Sequence, residues 1–215
     1  MPHFYSSSSC MVANRWFSIR AQVLCIVFAG LAFAALQNVT VDDAVTSGAV
    51  VPAYLPSSSF WNQGNACSVC HVNPDPSLAY DGTWHNGRLD PNSTVELALA
   101  FNFVGTFPDS FSHSRLNNGF HTGSGLYIFF ILANTVPNIT TLTNVTFILD
   151  GVQVSSFTHS PSASTDFEYN QAVFANDSIP YGQHTMTVAP VNDSVNSVLI
   201  LFDYLIYTYV FISSS

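Results

Sequence analysis

From Val95 onward, bulky apolar side chains recur at every second position in one stretch after another. Val95, Leu97, Leu99, Phe101 and Phe103 alternate with Glu96, Ala98, Ala100 and Asn102, and Met186 and Val188 alternate with Thr185 and Thr187. A period of two puts neighbouring side chains on opposite faces of an extended chain, and a helix of 3.6 residues per turn cannot make one apolar face from it. Val145, Phe147 and Leu149 run into Asp150-Gly151, after which Val152 and Val154 resume. Asp-Gly between alternating apolar residues is the strongest short-range signal for a hairpin. Its register turns Val145 and Phe147 inward and Asn144 and Thr146 outward. Leu126–Ala133 is apolar throughout and reads as a central strand. Phe167 to Val173 forms another strand, ending in a turn that holds Asn176 and Pro180. A last strand covers the first ten or so residues of Val198 to Ile212, interrupted by Asp203. Seven or eight strands with short turns predict an all-β fold, a two-sheet antiparallel β-sandwich.

Charge narrows the function. The chain has 215 residues, no Lys, four Arg and 13 Asp plus Glu, for a net charge of -9. Nucleic-acid affinity comes largely from cationic side chains displacing counterions, and only Arg88 and Arg115 lie beyond residue 20, so nucleic-acid binding is excluded. With 48% hydrophobic and 8% charged residues, the chain is not a disordered one.

The first 34 residues read as an address. Val23–Leu36 is an uncharged apolar run of 14 residues behind Arg15 and Arg20, with Ala32-Phe33-Ala34 as a small-x-small site. That is short of the roughly 20 residues a membrane span needs, so it predicts a secretory signal cleaved after Ala34, with an uncleaved anchor as the alternative. Translation from Met11 would leave a tidier basic lead. Six Asn-x-Ser/Thr sequons, at Asn38, Asn92, Asn138, Asn144, Asn176 and Asn192, fit an exported glycoprotein. Cys67 and Cys70 are then expected to pair as a local disulfide. The competing uses are c-type haem attachment at Cys-Ser-Val-Cys-His71, or zinc held by both Cys with His71 and His85. The expected divisions are 1–34 for the signal, 35–54 for an N-terminal segment, 55–208 for the sandwich and 209–215 for a tail. The final apolar stretch is too short, and with Asp203 too polar, for a membrane span; Asp203 itself is expected to be a buried carboxylate hydrogen-bonded to backbone.

Phe60-Trp61-Asn62, the Cys67 to Cys70 pair, Asp81-Gly-Thr-Trp-His85, Leu132-Ala-Asn-Thr-Val-Pro137, Thr146-Phe-Ile-Leu-Asp-Gly151, Gly182-Gln-His-Thr-Met-Thr187 and Phe202-Asp-Tyr204 matter jointly. Together they resemble the exported or membrane-anchored proteins of mushroom-forming fungi whose ectodomain is a galactose-binding-like jelly roll. The resemblance covers about residues 55 to 208 and implies a jelly roll and export. It supplies no catalytic or binding residues. In that family a Ser/Thr-rich stretch, a membrane helix and a cytoplasmic tail often follow the domain. Here the chain stops at Ser215, which is expected of a soluble variant or of a truncated sequence.

Candidate chemistry concentrates in two polar segments, 56 to 92 and 107 to 124, since long connections are usually functional or mobile. Sugar recognition sets an aromatic ring against the apolar face of a pyranose and polar groups on its hydroxyls. Trp61, Tyr80 and Trp84 are the candidate rings, and His85, Arg88, Arg115 and His121 the candidate polar contacts. For Trp61 and Trp84 the preferred reading is that they close one edge of the core. Asp81 and Asp90 are weak candidates for a calcium site. Asp109, Ser110 and His113 make no nucleophile elbow, and the carboxylates Asp75, Asp81, Asp90, Glu96 and Glu168 cannot be paired from sequence alone. The expected function is non-catalytic recognition by an exported sandwich, with a glycan or cell-wall component as partner and no cofactor. A structural or assembly ectodomain is the alternative, and a glycan-active hydrolase the third reading.

Overall fold

The computed structural model describes residues 33–56, 60–105, 124–180 and 182–213. The expected signal lies outside them except for its last two residues, as do Arg115, His121 and the Asp109, Ser110, His113 group. Eleven strands are described: β1 (Phe33–Asp42), β2 (Ala53–Leu55), β3 (Trp61–Gln63), β4 (His85–Leu89), β5 (Ala98–Gly105), β6 (Ser124–Ala133), β7 (Thr143–Leu149), β8 (Val152–His159), β9 (Phe167–Ile179), β10 (Gly182–Pro190) and β11 (Val198–Ser213). One sheet has the order β3-β4-β11-β6-β9, with β1 also on β11; the other has the order β2-β5-β10-β7-β8. All pairings are antiparallel, and from β4 onward the chain changes sheet at every connection except the β7–β8 hairpin. The fold is a two-sheet antiparallel sandwich, as the alternation predicts, of the jelly-roll kind that the resemblance implies.

The inner faces supply the core. Leu99, Phe101, Phe103, Phe147 and Met186 from one sheet meet Leu126, Ile128, Phe130, Ile200 and Phe202 from the other, all buried. The hairpin turn falls at Asp150-Gly151, both at positive φ (52° and 80°), as a type I′ turn requires. Val145 and Phe147 are buried, while Asn144 and Thr146 are half-buried on the other face. A second apolar cluster lies on the outer face of the β11 sheet, where Ile131, Ala133, Leu199 and Leu201 are roofed by Val72 and Trp84.

Four boundaries differ from expectation, each for a tertiary reason. The segment 35–54 holds most of β1 and the first two residues of β2, because Val39 and Val41 pair with Tyr207 and Leu205 and extend the inner face. The polar stretch 56 to 92 contains β3 and β4, since strands pairing through Gly87 and Asn86 need little apolar content. Strand β9 continues through the expected turn at Asn176 to Ile179, accommodated by register shifts against β6. Strand β11 runs to Ser213 because β1 pairs along its second half.

Candidate functional site

Strand β11 changes partner part-way along. Phe202 is the last residue paired with β4, opposite His85, and Tyr204 is the first paired with β1, opposite Asp42. Against β6 the register shifts at this same point, so Asp203 is the extra residue of a bulge. The gap between the end of β1 and the start of β4 is filled by side chains from both strands and by the tight 3-10 turn Tyr80–Gly82.

Three carboxylates converge there. Asp43 is buried and accepts from Thr83 Oγ1 (2.5 Å) and Gln63 Nε2 (3.2 Å), with His85 Nδ1 at 2.5 Å. The His85 ring lies flat on Tyr54, centroids 3.8 Å apart, and the Tyr54 hydroxyl donates to the Asp43 backbone carbonyl. Burial and the charges of Asp43 and Asp42 push the Tyr54 phenol well above its ordinary value. Asp42 also lies within 3.3 Å of Thr83 Oγ1, but one hydroxyl has one proton and cannot satisfy both acids. Burial, then the neighbouring Asp43, raises the Asp42 carboxyl. Asp203 is fully buried; Oδ1 accepts the Tyr80 N–H at 2.9 Å and Oδ2 has no partner. Burial above all, with Asp43 and Asp42 adding, pushes its pKa up to about 7. The expected backbone hydrogen bond is therefore present on one oxygen only.

An aromatic ladder stands beside this cluster on the outer face. The Tyr80 ring is tilted against Tyr204 (4.7 Å) and Tyr204 stacks on Phe129 (4.4 Å, 8°). Asp42, Tyr204, Phe129 and Ala172 form one row across four strands. The Tyr204 hydroxyl donates to Asn170 Oδ1 at 3.3 Å. Tyr204 is buried, whereas Tyr80 is 40% exposed.

The structure sorts the sequence candidates by burial. Tyr80 presents an open ring. Trp61 and Trp84 do not: they are 3% and 1% exposed. Trp61 fits the core over Gly87, and Trp84, part of the roof of the second cluster, lies against Gly64. Neither offers a face to a ligand, in keeping with the edge-closing reading preferred for both. His85 is brought into the acid cluster. Arg88 is turned away to Asp90 (2.9 Å) and Ser197 (3.0 Å). Asp81 and Asp90 lie on either side of β4, with Asp90 engaged by Arg88, so they do not form one calcium site; the described residues hold no group of three His, Cys, Asp or Glu that could hold a metal ion. Cys67 and Cys70 are joined in a disulfide, which removes the thiolates that zinc or haem attachment would use. So short a ring should contribute only about 2 kcal/mol by loop entropy. Reduction is expected to lower the midpoint of denaturant unfolding modestly and leave the far-ultraviolet β signal in place.

Sequence reasoning missed the Asp42-Asp43 pair, Tyr204 and Phe129. The signal for the first was present: two acids closing the Val39, Val41 alternation. No protein family model matches the chain, and no curated protein aligns with it. Among solved structures it is similar to a Paenibacillus sp. cycloisomaltooligosaccharide glucanotransferase complexed with cycloisomaltoheptaose, at 14% identity over 71% of this chain and TM-score 0.39, of which it spans only 18%. It is also similar to the CBM35 of Cellvibrio japonicus Abf62, at 10% identity over 77% of this chain and 97% of that one, TM-score 0.37. A third is a carbohydrate-binding module, CBM36, in complex with calcium and xylotriose, at 10% identity over 80% and 99%, TM-score 0.36. Likenesses at this level carry no argument; the fold rests on the strand pairing above.

Proposed function

We propose that this chain is an exported, non-catalytic recognition module that binds carbohydrate through the face around Tyr80. The observation that carries the reading is a 40%-exposed tyrosine ring held in place by Tyr204, itself stacked on Phe129. A ring whose orientation is already fixed loses little entropy when a pyranose packs on it, and such contacts are how sugar sites gain both area and selectivity. Asn170 beside the ladder and Asp81 next to Tyr80 in the chain supply hydroxyl partners. Export is supported by the Cys67–Cys70 disulfide and by exposed side chains at the sequons Asn38, Asn92, Asn138 and Asn192, together with the motif resemblance to exported fungal proteins.

A glycan array tests the binding. The wild-type chain should retain defined sugars, and Tyr80→Ala should lower that signal roughly ten-fold while the circular dichroism spectrum is unchanged. Equal retention by both chains, or none by either, would refute the proposal and favour a structural ectodomain. Turnover of the bound glycan would refute it in favour of an enzyme.

A further inference from the structure

Carboxylates lie next to Tyr80 and along the row of rings beside it. Asp81 follows it in the turn and is exposed; Asp42 stands in the Tyr204 row; Asp75 lies beside Tyr169 on the roof of the second cluster, its backbone N–H bonded to the Tyr169 hydroxyl. One row further along the ladder, Tyr127 pairs with Ile206, and its hydroxyl donates to Asp177. Beneath the Tyr80 backbone sits Asp203 with its unpartnered Oδ2. Against these five carboxylates the described residues offer one Arg, Arg88, already paired with Asp90. The chain contains no Lys.

We infer that the ligand of this face is a cationic amino sugar chain, of the poly-glucosamine type, in which the pyranose packs on Tyr80 and the ammonium groups face Asp42, Asp75, Asp81 and Asp177. This rests on the carbohydrate reading above and narrows it. A uronic acid polymer would bring like charge against the rim, and a neutral or N-acetylated chain would gain nothing from the negative charge there. Charge complementarity of this kind selects partners and speeds encounter, and it weakens with salt. A basic peptide would share the charge, but the exposed Tyr80 ring, resting on Tyr204, matches a pyranose face.

Titration calorimetry of the purified full chain with four hexamers decides it: glucosamine, N-acetylglucosamine, galacturonate and lysine. The glucosamine hexamer should bind roughly ten-fold tighter than its acetylated counterpart, and raising salt from ~20 to ~200 mM should cost about five-fold in affinity. Asp81→Asn and Asp177→Asn should each weaken it about three-fold, and Tyr80→Ala about ten-fold or more. Glu96→Gln, on the exposed segment before β5, is the charge control and should change nothing. Equal or tighter binding of the acetylated or galacturonate hexamer, dependent on Tyr80, would overturn this inference and leave the carbohydrate reading standing. Glycan binding that ignores Tyr80→Ala would overturn both. Lysine hexamer binding as tightly as glucosamine, indifferent to Tyr80→Ala, would reassign the surface to basic peptides.

Discussion

Gly64→Ala should destabilise the sandwich by about 3 kcal/mol, the upper end of what overpacking one buried site usually costs. A Cβ on Gly64 would stand 1.8 Å from Trp84 Nε1 and 2.1 Å from Cε2, well inside van der Waals contact. Neither partner can retreat easily. The indole is 1% exposed in the cluster of Val72, Ile131, Leu199 and Leu201, and the Gly64 N–H is tied to the Trp84 carbonyl at 2.7 Å. At roughly 2 to 4 °C per kcal/mol for a domain of this size, the melting temperature should fall by about 6 to 12 °C. A double-mutant cycle separates the clash from any effect on the backbone. Trp84→Ala removes Cδ1, Nε1 and Cε2, the three atoms nearest that Cβ, at a large cavity cost of its own. In the Gly64→Ala/Trp84→Ala chain the change at Gly64 should therefore add little further loss, a coupling of about 1 kcal/mol or more between the two sites. A single variant melting within about 2 °C of wild type would show that the loop carrying Gly64 is free to move off the sheet.

The same pair shows where sequence reading reaches and where it stops. Alternation fixed the β-sandwich because burial of one strand face is a local property written every second residue, and Asp150-Gly151 marked its hairpin because φ > 0 is a local demand. Trp61 and Trp84 looked like binding rings because they sit in polar sequence. Only the packed structure shows that Gly87 and Gly64 are the spaces cut for them. Conversely, Tyr204 and Phe129 looked like core in the apolar runs of β11 and β6. The bulge at Asp203 sets Tyr204 level with Phe129 on the outer face, and a register shift is not visible in either strand alone. The acid cluster was out of reach for the same reason. Its members come from residues 42, 43 and 203 and meet only where β11 changes partner.

That change of partner leads to the second large effect, which is a dependence on pH. Asp203 is raised from 3.8 to about 7 in the folded protein by burial and by Asp43 and Asp42. Between these values the unfolded chain has released the proton and the folded chain still holds it, so the folded state binds more protons and stability must fall as pH rises. Below about pH 4 both states are protonated and the penalty is absent; above about 7 it is complete, a few kcal/mol for a shift of this size. Asp42, raised by burial and then by Asp43, acts in the same direction. Asp203→Asn removes the titration while keeping an oxygen for the Tyr80 N–H. It should match or fall slightly below the wild type at pH 5, because its amide N–H groups enter a site where Oδ2 has no partner, and exceed it by roughly 1 to 3 kcal/mol at pH 8. Urea unfolding of both chains across pH 5 to 8 measures the difference. A gap that stays constant over that range would mean that Asp203 ionises in the folded protein at or below its ordinary value, with no penalty on its charge where it lies.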